Sequence, residues 1–170
     1  MDPAIAADFQ TLAQVAITIM GFTGIIGVLQ TRGGEGLTGP EIALVATLLV
    51  VTALAVFASF IPGTVALIYS GETIMWKWSF RILLVAHIVA WGISVPFMAR
   101  SGLLLEQLPE PQRFVTRLFA VFGLSAVVVE ALVVSGMYTG YAAFLYQCIL
   151  LLMVSIAFIS FVFLMFGLNE

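Results

Sequence analysis

The 170-residue sequence has few charged side chains. Asp, Glu, Lys and Arg together make up 9% of it, whereas soluble domains average about 25%. A soluble protein of this length could not cover its surface with so few polar groups. The net charge of −3 also provides no basic surface for nucleic acid. The composition therefore excludes a soluble domain and argues against a nucleic-acid partner.

Cysteine and histidine are scarcer still. Cys148 is the only cysteine and His87 the only histidine. These single occurrences exclude an internal disulfide, a cysteine-based metal site and a bis-histidine haem within the chain. The sequence also contains no HExxH motif, no GxSxG motif and no phosphate-binding loop. We therefore predict no enzyme activity, no catalytic residue and no metal site.

Hydrophobic residues make up 62% of the sequence and fall into long segments. A membrane-spanning helix needs roughly 20 apolar residues, because its backbone polar groups must pair within the helix in lipid. Five segments meet this requirement, at residues 9–29, 42–68, 79–99, 114–136 and 142–167. The N-terminal stretch MDPAIAADFQ lacks the basic region of a signal peptide, so the first segment should remain as a helix. The sequence predicts an all-α integral membrane protein with one transmembrane domain, residues 1–170, folded as a five-helix bundle with short loops.

Basic and aromatic residues predict how the bundle is oriented. Four arginines, at positions 32, 100, 113 and 117, follow predicted helices one and three, whereas Lys77 and Arg81 lie on the other side. The positive-inside rule then places the N-terminus outside and the C-terminus in the cytoplasm, which we assign to a bacterial inner membrane. Five aromatic residues are predicted to form a belt at the outer boundary: Tyr69, Trp76, Trp78, Tyr138 and Tyr141.

Two ionisable residues lie at similar predicted depths. Counted from Ser79, His87 is about 12 Å into helix three at 1.5 Å per residue. Glu130 is about 9 Å from the same side on the antiparallel helix four. Glu130 shares its helix face with Gly123 and Ala126, and small residues mark close helix contacts. Glu130 is therefore predicted to point into the bundle, beside His87.

Other polar and small residues are predicted to lie near this pair. Gln147 on helix five and the stripe of Gln14 and Thr18 on helix one approach it from the same side. Pro62 and Gly63 are predicted to break helix two at this level. The predicted intramembrane cluster therefore contains Glu130, His87, Gln147, Thr18 and Gln14. The glycines of MGFTGIIG are predicted to allow close helix packing: Gly21, Gly24 and Gly27.

Three functional hypotheses follow. The first is an accessory or structural subunit of a larger membrane assembly or homo-oligomer, because almost no residues remain outside the predicted helices. Its partners would be lipid and other membrane subunits or further copies of the chain. The second is a homo-oligomeric ion or proton channel or transporter that uses the Glu130–His87 cluster, since intramembrane carboxylates commonly mark ion pathways.

The third hypothesis makes His87 an axial ligand of haem iron or of a chlorophyll-type magnesium. VAHIVAW resembles light-harvesting antenna polypeptides over a few residues, with Trp91 four residues after His87. Leu83 departs from that pattern, because a small residue would be expected there. Apart from this pigment or haem, no cofactor is predicted.

Overall fold

A computed structural model describes residues 3–32, 39–100 and 110–166. These residues form five α-helices and no strand, so the all-α prediction is confirmed. The helices are α1 (Pro3–Arg32), α2 (Gly39–Ile68), α3 (Glu72–Arg100), α4 (Glu110–Val134) and α5 (Ala142–Phe166), with a 3-10 turn at Thr139–Tyr141.

Four helical segments are long and apolar enough to cross a membrane: Ile5–Gly27, Val45–Ile68, Glu72–Pro96 and Thr139–Val162. The prediction of a helical membrane protein is therefore supported. The apolar part of α4, Phe119–Val134, is shorter. At 1.5 Å per residue it covers about 24 Å, less than the roughly 30 Å of a bilayer's hydrocarbon core.

The connection between α2 and α3 is much shorter than predicted. We expected a polar break through residues 69–78, but α3 already begins at Glu72, directly after Gly71 with its φ of +119°. Glu72 lies in the first turn of α3, where the helix dipole favours an acidic side chain. Trp76 therefore belongs to a helix and is buried, so its ring packs against other helices rather than on the outer surface of the bundle.

The turn between α4 and α5 is as short as predicted. Gly136 has a φ of +102°, and its N–H donates to the Val133 carbonyl while the Met137 N–H donates to the Leu132 carbonyl. This pair of bonds is the Schellman motif, which ends a helix at a residue in the left-handed region. Despite the short turn, α4 packs mainly against α3 and contacts α5 over only a few residues.

The core forms where α1, α2 and α5 pack together, and α3 packs against α2. α1, α3 and α5 begin at one end of the bundle, which we call the N-terminal end, and α2 and α4 finish there. Four buried aromatic side chains meet near this end: Phe9, Trp76, Phe80 and Tyr146. The Tyr146 ring centroid lies 5.7, 5.6 and 5.2 Å from those of Phe9, Trp76 and Phe80. Tyr146 therefore joins α5 to α1 and α3.

The predicted break in α2 at Pro62 and Gly63 is wrong, because α2 continues through both residues to Ile68. A proline lacks the N–H that would bond to the carbonyl four residues earlier. Here that carbonyl belongs to Ala58, and it accepts a 2.8 Å hydrogen bond from the Tyr146 hydroxyl. A donor on α5 thus replaces the missing backbone donor, and the helix persists.

Candidate functional site

The structure brings His87 and Glu130 into direct contact. His87 Nδ1 lies 2.7 Å from Glu130 Oε1, at the contact between α3 and α4. The two residues are only 5% and 0% exposed. The hydrogen bond forms either from a protonated imidazole nitrogen to the carboxylate or from a protonated carboxyl to the imidazole. Either arrangement makes this an ionisable pair shielded from its surroundings.

Small residues on α4 allow this close approach. A Cβ added at Gly123 would lie 2.6 Å from Cζ2 of Trp91, which is one helical turn beyond His87 on α3. Ala126, between Gly123 and Glu130, is also buried. The structure therefore places Gly123, Ala126 and Glu130 on the side of α4 that faces α3. Gly123 admits an indole ring, however, rather than the backbone of a neighbouring helix.

The two residues lie at the same level for a reason the sequence did not reveal. From the observed start of α3 at Glu72, His87 is about 22 Å along the helix axis. Glu130 is only about 6 Å from the end of α4 at Val134. The lengths are compatible because α3 extends about 16 Å, roughly three helical turns, past the end of α4. Accordingly, the Lys77 ammonium lies 4.0 Å from the position of a Cβ at Gly136.

The second carboxyl oxygen of Glu130 has different surroundings from the first. Oε2 is buried and has no hydrogen-bond partner within the described parts of the chain. An unsatisfied buried polar atom costs on the order of 1–3 kcal/mol, and more if it is charged. Ionised carboxyl oxygens accept hydrogen bonds, whereas a protonated one also donates. Glu130 thus has one oxygen held by His87 and a second that can accept a proton or a ligand atom.

Gln147 does not belong to this pair, contrary to the prediction. Its side-chain Nε2 donates to Oδ2 of Asp8 on α1, at 3.1 Å. The inner face of α5 is instead formed by Tyr146 and Leu150, both fully buried. Because Tyr146 and Leu150 face the core, α5 is rotated so that Gln147 points toward α1. From the sequence, Asp8 was considered only as part of the N-terminal stretch that lacks a signal peptide's basic region. Nothing in the position of Asp8 near the start of the first helix indicated that Gln147 would be its partner.

Gln14 and Thr18 also lie apart from the pair, on an exposed face of α1. The Thr18 hydroxyl donates to the backbone carbonyl of Gln14 at 2.8 Å, so it is satisfied within its own helix. Both residues line an open groove of about 500 Å³ between α1 and α5, together with Phe22 and Phe158 among others. The predicted five-residue cluster therefore separates into three places in the fold.

The three glycines of α1 do not lie at a close helix contact with other described residues. A Cβ added at Gly21, Gly24 or Gly27 would meet no such atom within 4 Å. The face of α1 that enters the bundle is formed by other residues, among them Ala16 and Thr23, both fully buried. The predicted role of these glycines in packing is therefore not observed.

Tyr146 was missed by sequence reasoning, although one signal was present. Ala142, Tyr146, Ile149 and Met153 recur at helical spacing on α5, and all four are buried. A tyrosine on such a stripe needs a hydrogen-bond partner for its hydroxyl. A proline within another apolar helix leaves the carbonyl four residues before it without its backbone donor. The two requirements together could have suggested the Tyr146–Ala58 bond.

Comparison with protein-family models, with curated proteins and with solved structures found no match to this chain. Within the described ranges, no group of three or more His, Cys, Asp or Glu residues could hold a metal ion. The proposal that His87 is an axial ligand of haem or a pigment stays a prediction, and visible absorption of the purified protein would test it. In this structure the imidazole lies between helices and is 5% exposed.

Proposed function

We propose that this chain is a five-helix integral membrane protein in which the His87–Glu130 pair binds and releases a proton during ion or proton transport. The observation that carries the proposal is the 2.7 Å contact between a histidine and a fully buried glutamate. Both belong to apolar stretches of α3 and α4. Charged groups inside a membrane are costly, and they commonly mark proton or ion pathways.

The chemistry of the pair suits this role. Moving the bridging proton from the carboxyl to the imidazole converts a neutral pair into an ion pair without changing the net charge. Release of that proton leaves one negative charge, and uptake of a second proton leaves one positive charge. In an environment of low dielectric constant, each of these changes strongly alters the electrostatic energy of the pair. Glu130 Oε2, which has no hydrogen-bond partner among the described residues, is the atom at which the second proton binds.

The position of α4 connects proton binding with movement. α4 packs mainly on α3, whereas the central core is formed largely by α1, α2, α3 and α5. A change in the charge of the pair acts directly at the α3–α4 contact. α4 can therefore shift relative to α3 while the contacts among α1, α2 and α5 are retained.

The proposal includes the topology of the chain. α4 crosses the membrane although its apolar stretch is short, because the exposed Arg117 near its start extends the span by reaching toward the interface with its long side chain. The distribution of basic residues supports a cytoplasmic C-terminus. A helical rather than barrel architecture favours the bacterial inner membrane over the outer membrane.

Reconstitution into liposomes tests the transport function. The purified chain is inserted into vesicles that contain a pH-sensitive dye, and relaxation of an imposed pH gradient is recorded. We expect wild-type protein to accelerate relaxation, and Glu130→Gln to reduce the rate to that of protein-free vesicles. The amide keeps the size of the side chain but cannot take up the proton.

Glu72→Gln is the matched control, because it makes the same chemical change at an exposed carboxylate in the first turn of α3. This variant should retain the wild-type rate. Circular dichroism of both variants checks that the helices are intact. A folded Glu130→Gln protein with wild-type flux would refute the proposal, as would wild-type vesicles that relax no faster than empty ones.

A second candidate is the accessory or structural subunit of a larger membrane assembly. It is favoured by the outer face of α4, which carries exposed apolar residues that no described helix covers: Val121, Leu124 and Val128. Another membrane subunit or a second copy of the chain would cover this face. Mass spectrometry after purification in mild detergent should then show a stable complex, whereas a lone monomer would argue against this role.

A further inference from the structure

At the N-terminal end of the bundle, an aromatic stack carries an exposed arginine. The rings of Tyr69 and Trp78 stack with centroids 5.5 Å apart and planes 9° apart. The guanidinium carbon of Arg81 lies 4.9 Å from the centroid of the Trp78 ring. Tyr69 belongs to the short connection before α3, while Trp78 and Arg81 belong to α3 itself. The stack therefore combines a planar cation with two partly exposed aromatic rings.

The direction of the arginine side chain places this stack near the membrane surface. Side chains on a helix lean toward its N-terminus, so Arg81 extends from α3 toward the N-terminal end of the bundle. Trp and Tyr prefer the interface between hydrocarbon and water. Tyr138 and Tyr141 are also exposed at this end. The guanidinium is thus expected at the level of lipid headgroups.

The other described charges at this end already have favourable surroundings. The Asp8 carboxylate accepts from Gln147, and the Glu72 carboxylate accepts from Trp76 Nε1 at 3.4 Å. The Lys77 ammonium lies beside Gly136, just beyond the C-terminus of α4, where the helix dipole favours a cation. These interactions leave Arg81 as the cation that an external anion would neutralise.

No carboxylate among the described residues pairs with Arg81, whose guanidinium contacts the Trp78 ring. Lys77 lies four residues before Arg81 on the same helix. Like charges at this spacing repel each other and destabilise a helix. An anion bound near Arg81 would reduce this repulsion as well as balancing the guanidinium charge.

We propose that Tyr69, Trp78 and Arg81 form a binding site for the phosphate of an anionic phospholipid. The planar fork of an arginine binds phosphate through two parallel hydrogen bonds. Stacking on Trp78 restricts the guanidinium before the lipid arrives, which reduces the entropy lost on binding. The aromatic rings provide an amphipathic surface for the glycerol region of the lipid. This site is independent of the proton-binding role proposed for His87 and Glu130.

Native mass spectrometry of the full chain in mild detergent tests the site. The protein is titrated with phosphatidylglycerol and, separately, with phosphatidylcholine. We expect the first phosphatidylglycerol to bind more tightly than the first phosphatidylcholine. Arg81→Gln should weaken that binding by about tenfold, the effect of losing one charge-assisted contact. Arg81→Lys should give an intermediate loss, because lysine keeps the charge but lacks the planar fork.

Arg117→Gln is the matched control, since it removes one charge from an exposed arginine near the other end of the bundle. It should leave the affinity for the first phosphatidylglycerol unchanged. Equal affinities of the wild-type protein for the two lipids, or equal losses in Arg81→Gln and Arg117→Gln, would overturn the site. Displacement of phosphatidylglycerol by millimolar inorganic phosphate would instead identify a free phosphate as the ligand and overturn the lipid assignment.

Discussion

Tyr146 and Glu130 are both fully buried polar residues, but their polar atoms are used differently. The Tyr146 hydroxyl donates to the Ala58 carbonyl, and its ring lies among aromatic side chains from α1 and α3. Glu130 contacts His87 through one oxygen, while the other has no hydrogen-bond partner among the described residues. The first residue is neutral and lies in the central core, and the second is ionisable and lies on the most peripheral helix.

This difference separates a structural polar group from a candidate functional one. Tyr146 supplies the donor that Pro62 removes from α2, so its hydroxyl stabilises the backbone of a neighbouring helix. The His87–Glu130 pair replaces no missing backbone bond. Buried ion pairs also contribute little net stability compared with well-packed apolar residues. A role in proton binding provides a physical reason for placing a carboxyl group there.

The largest change in the free energy of unfolding is expected at Tyr146, the structural polar group. Tyr146→Ala removes a fully buried ring and leaves the Ala58 carbonyl without a donor, so the free energy of unfolding should fall by about 4–5 kcal/mol. Tyr146→Phe keeps most of the packing and should cost only about 1–2 kcal/mol. Denaturant titration in mixed micelles measures both. Tyr141→Ala, at an exposed ring one helical turn earlier, is the control, and an equal loss there would contradict the assignment.

The next largest change in stability is expected at the His87–Glu130 pair, where two variants distinguish its contribution to stability from its role in proton flux. His87→Leu leaves Glu130 buried without its partner and should lower the free energy of unfolding by about 3 kcal/mol. The double variant His87→Leu, Glu130→Leu removes both polar groups and should recover most of that loss while its proton flux stays absent. The same titration and the liposome assay measure the two properties. A double variant less stable than His87→Leu would show that the pair, like Tyr146, serves the fold.

A smaller effect is expected at the α3–α4 contact that positions the pair. Gly123→Ala places a Cβ 2.6 Å from the Trp91 ring, and overpacking of this kind costs about 1–3 kcal/mol. The partly exposed Trp91 side chain can move, so we expect about 1 kcal/mol together with reduced proton flux. Gly21→Ala is the control, because a Cβ there meets no described atom within 4 Å. Equal stability changes in the two variants would show that Gly123 is not a packing position.

The sequence alone was sufficient for the all-α class, for the existence of five helices, four of them with segments long and apolar enough to cross a membrane, and for the tight turn before α5. These properties depend on the length of apolar segments and on the residues at turns, and both can be identified directly in the sequence. The sequence also indicated that His87 and Glu130 lie at one level, although His87 is about 22 Å rather than about 12 Å from the start of its helix, because α3 begins at Glu72 and not at Ser79. The error in the start of α3 arose because Glu72 and Lys77 were interpreted as loop residues, whereas an acidic residue such as Glu72 is favoured in the first turn of a helix.

Only the tertiary structure decided which side of each helix faces its neighbours. In a soluble helix, the apolar stripe marks the buried face. In a membrane helix the outer face is apolar as well, because it contacts lipid, so the same periodicity largely disappears. The partner of Gln147, the burial of Trp76 and the outward direction of Gly21 and Gly24 all depend on helix rotation. So does the bond from Tyr146 to Ala58, which allows α2 to continue through Pro62. For that reason the sequence could indicate that His87 and Glu130 lie at one level, but only the packing of α3 against α4 brought them together.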